Sequence, residues 1–338
     1  MSLEIVLAAG AGVVVVSSTG LVMARAYRRK EARRRAVTRL YSTQLDEDVT
    51  EPEAARPATP VEPSLESDEL GPLAKLPPFG PVVVRLLHLC DHRDVEVAEV
   101  ARLVESDPVV ATEILALVNS PLYGVCGAVS SAGHAVMMLG VDHTRALVTS
   151  QAVRFMTQSI PDKNMVRRVW RHSLATAVLA RRLAPGFQVD EDLAHTAAML
   201  HDLGRLGLMA AHREGYLQLA TKSYETATEI ITAEETQFGM SHCKAGGMIG
   251  RAWGFPDTLQ AVIAHHHEAT VGRNMVSLIQ ISCELADSFT FESIHRWDVG
   301  KPAAVVEARA LPECRDDILA ALDGIEKSIV AHVEALDF

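Results

Sequence analysis

Aromatic residues are scarce in this chain: Trp, Tyr and Phe together make up 5% of its 338 residues. Sheets draw on aromatic and β-branched side chains for cross-strand packing, so this scarcity, beside abundant Ala, Leu and Val, favours helices. No segment alternates apolar and polar residues long enough to demand a sheet, and no solenoid period appears. The five cysteines, Cys90, Cys126, Cys243, Cys283 and Cys314, are odd in number and include no CxxC pair. That pattern argues against a disulfide framework or a thiolate zinc site, and for free buried thiols. A basic face is missing too: the net charge of −11 argues against general nucleic-acid binding. The expected fold class is all-α.

What is present begins at the N-terminus. After a short segment, 1–4, an apolar run occupies 5–24, about the 20 helical residues that span a hydrocarbon core. Glu4 precedes the run and arginines follow it, the reverse of a cleaved signal peptide. The run is therefore expected to be a single transmembrane helix in the inner membrane, with the bulk of the chain in the cytoplasm. Ala8 and Gly12 form a small-xxx-small pair through which two anchors would pack as a homodimer. The basic segment 25–41 would lie against anionic lipid. Residues 42–72 are acidic, rich in proline and poor in large apolar groups, the composition of a disordered linker.

Folded protein is expected from Leu73. Apolar residues recur at three- and four-residue steps through "DVEVAEVARLVESD", and Asp107-Pro108 opens a new helix. Gly140 stops another. "WRHSLATAVLARRLAPG" is expected to end at Pro185-Gly186, and "DEDLAHTAAMLHDLG" at Gly204. The C-terminal segment, 290–338, closes with a charged amphipathic stretch.

Several histidines and aspartates fall where these helices begin or end: His172, the pair His201-Asp202, His242, His266, His267 and Asp287. Imidazole and carboxylate are ligands of divalent ions such as Mn²⁺, Fe²⁺, Zn²⁺ and Mg²⁺. Adjacent ligands on a helix point about 100° apart, so His201 and Asp202 can reach two sides of one ion or two neighbouring ions. Each residue alone also has an ordinary reading as a packed or exposed polar group, as assigned here to His88, His92, His134, His143, His195, His212, His295 and His332.

The order His172, His201-Asp202, Asp287 resembles the HD superfamily of metal-dependent phosphohydrolases. His242 and His266-His267 resemble the wider ligand set of its HD-GYP branch, which implies one or two divalent ions, and Glu235 resembles an acidic position of that branch. The Gly-Tyr-Pro signature that would follow Glu268 is absent; the chain reads "ATVGRNMV" there, which argues against cyclic-di-GMP hydrolysis. Arg205 stands where such proteins carry lysine, which makes it the candidate for phosphate contact.

Upstream, "KLPPFGPVVVRLLHL", "VARLVESDPVVATEILALVNSPLYG" and "VSSAGHAVMMLGVDHTRALV", with "GRAWGFPDTLQAVIAHHHE" later, resemble the HDOD domain. The resemblance covers 73–289, with an N-terminal helical half (73–164) and an HD-like half (165–289). It implies a bacterial signalling or regulatory module acting through an unknown signalling protein or a nucleotide ligand. The alternative is a phosphohydrolase acting on a nucleotide or cyclic dinucleotide.

Overall fold

The computed structural model describes residues 5–9, 12–16, 70–89, 95–119, 129–268, 270, 272–293 and 300–336. The chain divides into two units, Met1–Pro60 and Val61–Phe338.

The first unit overturns the expected membrane helix. Ile5–Ala9 (β1) and Gly12–Val16 (β2) are antiparallel strands, with Ile5 opposite Val16 and Ala9 opposite Gly12. Ile5, Val6, Val13, Val14, Val15 and Val16 are β-branched, stiff at χ1, and favour strands. Among the described residues no helix is long and apolar enough to cross a membrane. The single-pass inner-membrane placement rested on that helix and falls with it. The basic segment, nearly all of the linker, and the stretch after Asn119 lie outside the described residues.

Described residues from 70 onward form helices and turns. The N-terminal half contains Pro81–His88 (α1), Val97–Glu105 (α2), Pro108–Val118 (α3), Ala132–Leu139 (α4) and Val141–Met156 (α5). The second half holds Lys163–Phe187 (α6), Glu191–Leu200 (α7), Leu203–Ala211 (α8), Arg213–Ala220 (α9), Ala227–Phe238 (α10), His242–Ala252 (α11), Asp257–His265 (α12) and Met275–Ser288 (α13). Pro302–Arg309 (α14), Arg315–Leu322 (α15) and Ile325–Leu336 (α16) follow. The long helix α6 is the spine: α7, α13 and α16 pack along it, and α5 joins the first half to α7. Its alanines, Ala175, Ala177 and Ala180, are fully buried beside Leu174 and Leu179 and let neighbouring helices approach closely.

Side chains set where the helices start. Asp162 caps α6 by accepting from the Met165 N–H, and Asp190 caps α7 from Asp192 and Leu193. Ser241 caps α11 at Lys244, and Asn274 caps α13 at Ser277. Two expected stops move. α6 runs through Pro185 to Phe187 and ends on Gln188 in the left-handed region (φ 56°). The proline lies in the last turn, where it removes a single bond, and burial of Phe187 carries the helix past it. Gly204 does not end a helix; α7 stops at Leu200 and Gly204 lies inside α8.

Candidate metal centre

The break between α7 and α8 is the starting point of the site. His201 follows the last residue of α7 and Asp202 precedes the first of α8, so the chain turns between the two helices. Gly204, one residue into α8, lets that helix touch the backbone of α11. A Cβ at Gly204 would lie 1.8 Å from the His242 carbonyl oxygen and 2.6 Å from the Gly246 nitrogen. Glycine is required by this close approach. The contact delivers His242, the first residue of α11, to Asp202. His266 closes α12, His267 follows it, and α6 and α13 contribute His172 and Cys283 from the other side.

Two adjacent donor sets result. Asp202, His242, His266 and His267 form one; His172, His201 and Cys283 form the other; within each, the ligand atoms lie within 4.8 Å of one another. His242 Nε2 is 3.7 Å and His266 Nε2 3.6 Å from Asp202 Oδ1, and His201 Nε2 is 3.7 Å from Asp202 Oδ2. The sets share the His201-Asp202 junction, and the His201 and His266 rings meet edge to face at 5.0 Å.

The far sides of four of the rings are fixed. His201 Nδ1 lies 2.6 Å from the Ala198 carbonyl, His266 Nδ1 3.1 Å from that of Ile263, and His172 Nδ1 2.8 Å from that of Phe291. His242 Nδ1 lies 2.6 Å from Glu234 Oε2. An acceptor at Nδ1 holds the proton there and turns the Nε2 lone pair inward, the tautomer a metal requires. The Phe291 carbonyl is brought back by a turn at Thr290, whose φ is +68°. A left-handed non-glycine residue is strained, and strain of this kind is held at sites the surrounding structure over-determines.

Protonation fits the same use. Burial pushes His201 down to about 3. Burial also lowers His242, helped by the Arg205 charge, and holds His267 well below its ordinary value. Burial alone would raise the Asp202 carboxyl, but Arg205 and His201 hold it well below the usual carboxylate range. His172 differs: burial opposes its charge, but the Asp287 carboxylate lifts it well above its ordinary value. Burial raises the Cys283 thiol to about 11.

Among the donors, His201 Nε2, Asp202 Oδ2 and His266 Nε2 are buried with no hydrogen-bond partner. Polar atoms at this depth are costly unless satisfied. Their convergence, with imidazole nitrogen and carboxylate oxygen as donors, fits a divalent metal held by these residues.

Three expectations change. Arg205 is not placed to meet a phosphate. It is 1% exposed, donates from Nε to Asp202 Oδ1 at 2.8 Å, and turns Nη1 toward Glu234 and Tyr216. The acidic residue behind His242 is Glu234, while Glu235 faces solvent. Asp287 joins neither donor set; it approaches His172 Nδ1 at 3.2 Å from behind. Sequence reasoning missed Cys283, although it lies one helical turn before Asp287 and so on the same face of α13.

The HDOD domain sequence profile matches residues 76–269, more than half of the chain. This chain belongs to the HDOD domain family. It is 22% identical over 194 residues to an uncharacterized protein of Treponema pallidum (strain Nichols), and spans 37% of that relative's length. Its fold is similar to an HDOD domain protein of unknown function from Geobacter sulfurreducens (TM-score 0.61, 22% identity, 80% of this chain and 98% of that one). A candidate signal transduction protein from Marinobacter aquaeolei VT8 is similar too (0.59, 22%, 80% and 61%). So is a candidate phosphohydrolase from Shewanella amazonensis SB2B (0.55, 18%, 80% and 96%).

Proposed function

We propose that this chain is an HDOD signalling or regulatory module that holds one or two divalent ions at its HD-type centre and acts by binding a partner protein or a nucleotide ligand. The reading rests on the burial of His201, Asp202, His242 and His266; His267, half-buried, is the one exception among the donors. His201 and His266 are 0% exposed and Asp202 is 2% exposed. One Asp202 oxygen is already engaged by Arg205, whose Nη1 donates in turn to Glu234 and Tyr216. Structural metal sites are closed, whereas catalytic ones keep a position open for water or substrate. Bound there, a divalent ion would supply Lewis-acid character and a lowered water pKa. This chain's residues give it a buried, rigid seat that ties α6, α7, α8, α11, α12 and α13 together.

The adjacency of two donor sets favours a second reading, a metal-dependent phosphohydrolase acting on a nucleotide or cyclic dinucleotide. The full chain, loaded in turn with Mn²⁺, Fe²⁺ and Mg²⁺, would be assayed against phosphodiesters and nucleotides. The regulatory reading expects bound metal and turnover no greater than that of His201→Ala or Asp202→Ala. Turnover that those substitutions abolish would replace it with the second reading.

A further inference from the structure

We infer that Cys283 is a metal ligand, so that one of the two ion positions is a nitrogen–sulfur site selective for thiophilic ions such as Zn²⁺ or Fe²⁺ over Mg²⁺. The inference rests on the metal-holding reading above and specifies its chemistry.

Cys283 is 2% exposed and its Sγ lies 3.4 Å from His172 Nε2. A tetrahedral ion with bonds of about 2.0–2.3 Å separates its ligand atoms by roughly 3.5 Å, so this spacing fits two ligands on one ion as well as a thiol–imidazole hydrogen bond, and the third donor decides between them. His201 Nε2 completes the set; it is buried, without a hydrogen-bond partner, and its ring is locked from behind by the Ala198 carbonyl. His172 is locked likewise by the Phe291 carbonyl, with the Asp287 carboxylate beside the same nitrogen. A carboxylate behind a ligating imidazole is the usual orienting arrangement. Asp287, whose ligand atoms fall outside the donor set, stands behind the ring, and in this assignment the sulfur takes the place at the ion. On binding, the thiol gives its proton to solvent and coordinates as thiolate. Thiolate shifts selectivity away from Mg²⁺ and Mn²⁺, which suit oxygen donors, toward Zn²⁺ and Fe²⁺.

Cys243 is the necessary control, because its Sγ lies 3.5 Å from His242 Nε2, yet it belongs to neither donor set. The full chain would be loaded with Co²⁺ and its absorption recorded. The expected spectrum has a near-ultraviolet sulfur-to-cobalt charge-transfer band that is lost in Cys283→Ser and kept in Cys243→Ser. The visible cobalt bands of the histidine set should survive both changes. Zinc X-ray absorption of the unsubstituted chain is a second measurement that needs no variant, and should show a sulfur shell at about 2.3 Å. Bound metal without a sulfur shell, or a charge-transfer band intact in Cys283→Ser, overturns the assignment and leaves the metal-holding reading standing. Failure to bind Co²⁺ or Zn²⁺ at all overturns both.

Discussion

Replacing Gly204 with alanine should do more damage than the addition of one methyl group suggests. The new Cβ would lie 1.8 Å from the His242 carbonyl oxygen, 2.6 Å from the Gly246 nitrogen and 2.8 Å from the His242 carbonyl carbon, all backbone atoms. None can rotate away, so α8 and α11 must separate. Overpacking a filled interior costs about 1–3 kcal/mol, and a clash against backbone belongs at the upper end. The gain in helix propensity from Gly to Ala returns at most about 1 kcal/mol. A net loss of about 2 kcal/mol corresponds to a fall of roughly 4–8 °C in melting temperature for a domain of this order. Metal binding should weaken as well, because the same contact delivers His242 to Asp202. Gly207→Ala is the control. Its Cβ would meet the Ile249 Cδ1 at 2.6 Å, the far end of a flexible side chain, so propensity and clash should nearly cancel. Thermal melts monitored by circular dichroism, with metal content measured in parallel, decide the matter. If Gly204→Ala melts no lower than Gly207→Ala and holds the same metal, the close approach of α8 and α11 is not what builds the site.

Glu234 accepts from both the backbone and the ring of His242, and from Arg205 and Tyr216. Glu234→Ala leaves the Arg205 charge without one of its buried partners, so urea unfolding should report a loss of about 3–5 kcal/mol. Metal titration should show affinity reduced by about 10–100-fold, with Glu234→Gln intermediate in both; an alanine variant that behaves as the parent would contradict the support role. A third prediction concerns acid. Burial pushes His195 down to about 3, so the folded chain refuses a proton that the unfolded chain accepts. Its contribution is intact above about pH 6.5 and drains away as pH falls toward 3, at up to about 1.4 kcal/mol per pH unit. In His195→Gln the fall in stability between pH 6 and 5 should be shallower by about one proton; an unchanged slope would show that this ring is not what resists acid.

Much of the second unit was legible because its signals are local. Asp107 before Pro108 caps α3 by accepting from Val109 and Val110, and Gly140 ends α4 at φ 81°, as the sequence pattern implies. His201-Asp202, His242 and His266-His267, picked out by their order along the chain and its resemblance to the HD superfamily, do meet. What the sequence hid depends on packing. Glu234 and Glu235 are equally acidic and both near His242, and only the rotation of α10 buries the first. Asp287 and Cys283 share a face of α13, and only the structure shows that Asp287 approaches Nδ1 of His172 while Cys283 approaches Nε2. Arg205 reads as an exposed cation until Glu234 and Tyr216, from two other helices, close over it. The N-terminal run misled because length and hydropathy fit a spanning helix, while its β-branched residues fit strands equally well.

The most direct test of the metal centre is anomalous X-ray scattering from crystals of the zinc-loaded chain, recorded on either side of the zinc edge. The account predicts a peak at bonding distance, about 2.0–2.2 Å, from Nε2 of His242 or His266 and from the Asp202 carboxylate. Crystals in which His201, Asp202, His242 and His266 are ordered as described, but no anomalous peak lies among them, would contradict it.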